Sequence, residues 1–108
     1  MPGDTPALDR DDALRRLGGD EDLFCELLAV FLEDLPASLS ELQAARQAKD
    51  GERLAATAHR IKGAALNLGA KALAAAAEAL ETSGSTGAHA RVEEEARRLR
   101  ALVEGAPA

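Results

Sequence analysis

Residues Glu52 to Leu68 read ERLAATAHRIKGAALNL. An α-helix advances about 100° per residue. On that geometry Leu54, Ala58, Ile61, Ala65 and Leu68 fall within about 40° of one line, an apolar stripe suited to a helix-packed core. Gly69 follows, the residue type that ends helices in the left-handed conformation. The spacing therefore predicts a helix over 52–68. His59 lies about 140° from the stripe and faces solvent. Lys62 and Gly63 are its i+3 and i+4 neighbours and Leu66 its i+7 neighbour, so the four share one exposed patch.

Working outward, residues 1–8 read as a flexible N-terminal tail. A short helix is expected over 9–17, acidic in its first turn and ended by Gly18-Gly19. Asp20 is a good N-cap for a second helix. Leu23, Leu27, Val30 or Phe31, and Leu35 recur in it at helical spacing, and Phe24 and Phe31 read as core. Pro36 interrupts, yet Leu39, Leu42, Ala45 and Ala48 continue the pattern. Either one long kinked helix or two helices satisfy this. Asp50-Gly51 is a break. Beyond the 52–68 helix, a fourth is expected over 71–82, a loop over 83–87 and a last helix over 88–103. In the last, Val92, Ala96, Leu99 and Leu102 or Val103 face inward. No stretch alternates with period two. The fold class is all-α: an up-and-down antiparallel four-helix bundle over 9–105 with a short extra N-terminal helix.

Composition narrows the function. Of 108 residues, 25 are Ala and 17 are Leu, both strong helix formers. The net charge is -6, with no Trp or Tyr and two Phe, which argues against a nucleic-acid partner. One Cys and two His offer neither a disulfide framework nor a zinc cluster. No apolar run reaches the roughly 20 residues that span a bilayer, so no membrane is expected. The opening MPGDTPALDRDD has no apolar stretch of the kind a secretory leader needs, and the expected location is cytoplasmic. Residues 36–65 carry a net +2 inside an acidic chain, suited to an acidic partner site.

Three residues on the exposed face break local rules. Gly63 in a helix interior costs about 1 kcal/mol against Ala. Leu66 is a large apolar group off the core stripe. His59 has no carboxylate at i±3 or i±4, where Ala55, Ala56, Lys62 and Gly63 stand. Sites that violate local consistency are functional candidates. Phosphoryl acceptance on imidazole would use all three. Gly63 leaves a bulky donor a clear approach, Lys62 pairs with phosphate oxygens, and Leu66 with Ala55 and Ala56 forms a small apolar docking platform. By contrast His89 reads as structural or surface. Cys25 reads as half-buried packing, and Glu93–Arg97 as an i,i+4 pair on a solvated face.

The string from His59 to Gly69, His-Arg-Ile-Lys-Gly-Ala-Ala-Leu-Asn-Leu-Gly, resembles the His-x-x-Lys-Gly-x-x-x-Asn-x-Gly signature of histidine-containing phosphotransfer (HPt) domains. The Gly18-Gly19-Asp20 turn, the Phe31-to-Pro36 stretch and the run from Leu73 to Leu80-Glu81 fit as well, so the resemblance covers about residues 8–105. Arg60 takes a position often filled by a small or polar residue, which bears on partner preference. The resemblance implies a phosphocarrier, not an enzyme. It takes a phosphoryl group from a receiver-domain aspartate and passes it to another receiver in a two-component phosphorelay. It implies His59 as phosphoacceptor, Lys62 as phosphoryl contact, Gly63 as clearance, and Asn67 and Gly69 as shapers of the helix end. No cofactor is expected on this chain; Mg²⁺ belongs to the partner receiver. The partners implied are receiver domains of response regulators or hybrid histidine kinases, with the chain itself a monomer.

The alternative is an HPt-like docking module that binds or inhibits a kinase or receiver without carrying phosphate. A third reading is a substrate segment of a kinase. A hydrolase fits least, for lack of a nucleophile–base–orienter set.

Overall fold

The computed structural model describes residues 5–105. They form five helices and no strand: α1 (Arg10–Arg16), α2 (Glu21–Gln47), α3 (Gly51–Asn67), α4 (Lys71–Ser83) and α5 (Thr86–Glu104). Side chains start most of them. Asp9, Asp20, Asp50 and Ser85 each accept a hydrogen bond from the backbone N–H three residues on. Helix α4 has no side-chain cap. Instead the Pro6 carbonyl accepts from Ala72 N–H at 2.9 Å, which satisfies one of the donors a helix start leaves unpaired. The bundle therefore gains its N-terminal strap at Pro6, before the boundary expected at residue 9, and Ala7 is buried. Residues 1–4 of the expected tail lie outside the described residues.

Helix α3 packs against α2 on one side and α4 on the other; α4 packs on α5, and α5 returns to α2. Leu42, Leu73, Leu80, Val92 and Leu99 are almost fully enclosed, each side chain stabilising the fold by about 1.5–3 kcal/mol. Between them Ala45, Ala58, Ala65, Ala77 and Ala96 are also buried. Their small side chains let the helix axes approach closely. The α3 stripe is buried as the spacing predicts: Leu54, Ala58, Ile61, Ala65 and Leu68 all lie in the core.

Helix α2 decides between the two alternatives left open at Pro36 and differs from expectation in its buried face. It is one continuous helix with Pro36 inside it. And its first half buries Phe24, Leu28, Leu32 and Leu35, while Leu23, Leu27 and Val30 are exposed. Two stripes of helical spacing run side by side here. The one that continues in register into Leu42 and Ala45 is the one that packs. Phe31 is half-buried, Leu39 packs at the margin, and Ala48 is exposed at the helix end. In α5 the inward residue is Val103, and Leu102 is exposed.

Pro36 has no N–H to offer the Leu32 carbonyl four residues back. The Arg100 guanidinium of α5 donates to that carbonyl instead. The cation thus fills the gap in the helix and ties α5 to α2 at the same point. Arg100→Met, which keeps most of the aliphatic stem and loses the donor, is expected to destabilise the protein by about 1–3 kcal/mol in urea denaturation. Wild-type stability in that variant would mean that water serves the carbonyl equally well.

Candidate functional site

His59 stands in the middle of α3, on the side away from the Leu54–Ile61–Leu68 stripe, with its side chain 65% exposed. Its neighbours at one turn lie where the spacing places them: Lys62 half-buried, Gly63 and Leu66 exposed, Ala56 exposed and Ala55 half-buried. At Gly63 a Cβ would meet nothing within 4 Å. Packing within this chain therefore does not require glycine there, and the space beside it is open to an incoming molecule. Asn67, the last residue of α3, is exposed beside α2, and Gly69 forms the turn into α4.

Helix α3 itself offers His59 no carboxylate one turn away on either side. The structure supplies one from α4. His59 Nδ1 lies 2.9 Å from Glu81 Oε2, and Lys62 Nζ lies 3.1 Å from the other oxygen, Oε1. Glu81 was legible only through hairpin register. Helices α3 and α4 are arms of one antiparallel hairpin turning at Gly69 and Ala70, and counting equal arms outward from the turn brings 59 level with 81. Lys62 is the main cause holding the Glu81 carboxyl below its ordinary range; partial burial opposes it, and the His59 hydrogen bond adds to the lowering. An ionised Glu81 can only accept, so Nδ1–H donates to it. In the neutral ring this contact selects the tautomer with its proton on Nδ1, which leaves the lone pair on Nε2.

Three of the five bases of residues 36–65 are engaged within the chain. Arg53 pairs with Glu41, Lys62 with Glu81, and Arg46 donates to His89 Nδ1 and to the Gly84 and Ser85 carbonyls. Arg60 is exposed and in no ion pair among the described residues. It borders a shallow cleft of about 230 Å³ between α2 and α3, shared with Phe31, Asp34 and Ala64.

The second histidine has the opposite character. The His89 side chain is 8% exposed. Arg46 Nε donates to its Nδ1 at 2.8 Å, and chiefly burial pushes its pKa down. It fastens the C-terminal part of α2 to the start of α5. Cys25 is exposed rather than half-buried. The expected Glu93–Arg97 pair does not form: Glu93 accepts from Gln43, and Arg98 pairs with Glu95. Among the described residues no three His, Cys, Asp or Glu side chains gather as a metal site. No helix among them is long and apolar enough to cross a membrane.

The HPt resemblance implies an exposed histidine beside a lysine and an unobstructed glycine; the three lie together here, and the Glu81 carboxylate is a further partner that the resemblance did not include. The Hpt domain family model matches residues 26–108. The chain belongs to the Hpt domain family. No curated protein and no solved structure matches it. Hpt domains are helical phosphotransfer modules of two-component signalling, carriers rather than catalysts, which interact with receiver domains. In this Hpt domain the match takes in α3, α4 and α5 whole and most of α2, and so contains His59, Lys62 and Glu81.

Proposed function

We propose that this Hpt domain is a histidine phosphocarrier that accepts a phosphoryl group from a receiver-domain aspartate and passes it to another receiver. The observation that carries the reading is the Glu81 carboxylate between His59 and Lys62. It holds the Nδ1 proton, turns the ring so that Nε2 is the nucleophile, and keeps Lys62 next to the place where phosphate oxygens will sit. In the transfer the Nε2 lone pair attacks phosphorus in line. The N–P bond forms, the bond from phosphorus to the aspartyl oxygen breaks, and the aspartate leaves as carboxylate. The ring keeps its Nδ1 proton and becomes a phosphoimidazolium, whose positive charge Glu81 offsets. Lys62 then exchanges Glu81 for the phosphoryl oxygens. Transfer to the next receiver reverses these steps.

The remaining roles follow from position. Gly63 clears the approach, Ala55, Ala56 and Leu66 meet the partner, and Asn67 and Gly69 shape the end of α3. The four longer helices form the up-and-down antiparallel bundle, with α1 as the extra helix. The carrier works as a cytoplasmic monomer. The divalent cation of the reaction belongs to the receiver, since this chain brings a single carboxylate to the reacting ring.

The test is phosphoryl acceptance from a panel of phosphorylated receiver domains with Mg²⁺ present. Base-stable, acid-labile label on the chain is expected, as for phosphohistidine. Binding to receivers without label would support the docking module instead. Two variants probe the machinery. Glu81→Gln removes the charge and can present its amide N–H to Nδ1, favouring the wrong tautomer; transfer is expected to slow about 10- to 100-fold, with the fold intact, in rapid-quench kinetics. An unchanged rate would leave Glu81 a surface ion pair. Gly63→Gln is expected to slow transfer about tenfold by obstructing the approach, while melting shows a helix stabilised by up to about 1 kcal/mol. Faster transfer would refute the clearance role.

A further inference from the structure

The exposed face of α2 has a chemistry that neither the core nor His59 explains. Leu23, Leu27 and Val30 are 37%, 40% and 53% exposed. They form one line along the helix, and Asp34 continues it. Asp22, Glu26 and Glu33 lie about 60–100° to one side of that line. On the other side the helix turns through Phe31 towards α3. There Leu27 and Val30 share a cleft of about 250 Å³ with Ala64 and Asn67, and Leu66, itself 40% exposed, lies further round α3 on the same face as His59. The apolar strip thus reaches α3 at Ala64 and Asn67, next to the face that carries His59, and is bordered by acid along its outer edge.

The charge is one-sided. Helix α2 has no Lys or Arg from Glu21 to Ala45. Glu21 and Glu41 are neutralised by Arg10 and Arg53. Asp22, Glu26, Glu33 and Asp34 are exposed and enter no ion pair among the described residues. Four unpaired carboxylates around exposed leucines and a valine repel one another and favour a cationic partner. The other end of the same face carries Arg60 and the phosphoacceptor. The face is therefore polar along its length, anionic at the start of α2 and cationic at Arg60.

We propose that this strip selects receiver domains whose docking surface is an apolar helix edged with Lys or Arg. The basic edge lies along Asp22, Glu26 and Glu33, which points the receiver's acidic phosphoryl site at His59. Receivers with an acidic edge are rejected by like-charge repulsion. The proposal rests on the phosphocarrier reading for the identity of the partner as a receiver.

The test uses the full chain and a panel of receiver domains, half with basic and half with acidic residues beside the apolar helix. Binding is read by titration calorimetry, and transfer by rapid quench, at about 20 and about 500 mM salt. Wild type is expected to bind the basic-edged receivers about tenfold or more tightly than the others, with the preference collapsing at high salt. The Glu26→Lys/Glu33→Lys double variant, with both changes on exposed positions, is expected to lose or invert the preference and keep its melting temperature. Equal binding of both halves, no binding at all, or an unchanged preference in the double variant would overturn the proposal. Phosphoramidate, a donor too small to need docking, separates the two readings. If it fails to label His59 the phosphocarrier reading fails, while the calorimetry still decides the docking preference.

Discussion

The His59→Gln variant is expected to keep wild-type helicity and melting temperature and to take no phosphoryl group, either from a receiver or from a small-molecule donor. The fold has little stake in the ring: its side chain is 65% exposed and lies off the core stripe. Its one hydrogen bond, to Glu81, is an exposed contact of the kind that contributes about 0–1 kcal/mol. Glutamine is at least as good a helix former as histidine. The chemistry has everything at stake, because the amide nitrogen of glutamine has no free lone pair with which to attack phosphorus. No other group stands in. His89 has its Nδ1 engaged by Arg46 and its side chain 8% exposed, and Cys25 lies on the other side of α2, facing α5 beside Leu32 and Val103. Quantified label with circular dichroism on the same samples checks the outcome. Acid-labile label retained on the variant would move the phosphoacceptor elsewhere.

The contrast between α3 and α2 shows what a sequence of this kind gives away. Helix α3 has one apolar line, so its core face, and with it the outward aim of His59, is legible from spacing alone. Helix α2 has two lines, Leu23–Leu27–Val30 and Phe24–Leu28–Leu32–Leu35, and local periodicity does not choose between them. The choice is made by continuity through Pro36, and that continuity is supported by Arg100 on α5, 68 residues from the carbonyl it serves. Glu81 was hidden for the same reason. Its contact with His59 crosses 22 residues and depends on how two helix arms are matched at their turn, which no residue on α3 reports. The same ambiguity on α2 concealed a surface: Leu23 and Leu27, expected in the core, form an exposed strip on the α2 face that turns towards α3.

That turn is where the largest loss of stability is expected. Gly69 has φ +73°, and a Cβ placed on it would sit 2.2 Å from the Asp9 carbonyl oxygen. The close approach has a purpose. Asp9 N–H donates to the Gly69 carbonyl at 2.7 Å, Lys71 Nζ pairs with Asp9 Oδ2 at 2.8 Å, and Ala72 N–H reaches Pro6. The N-terminal strap is thus laid directly over the α3–α4 turn, with room only for a hydrogen atom between them. Gly69→Ala carries two costs. The left-handed backbone disfavours a side chain by about 1–2 kcal/mol, and the methyl group forces the strap away, losing hydrogen bonds of about 0.5–1.5 kcal/mol each. Together they should lower stability by about 3–5 kcal/mol, a large share of what a domain this size possesses. Gly84→Ala separates the two. Gly84 has φ +64° with nothing within 4 Å of its Cβ position, so it should show the backbone cost alone, about 1–2 kcal/mol. Urea melts of both variants give the difference directly. Equal losses would mean that the strap yields without cost. A greater loss at Gly69 would show that the turn setting His59 opposite Glu81 is held from outside by the strap at Asp9.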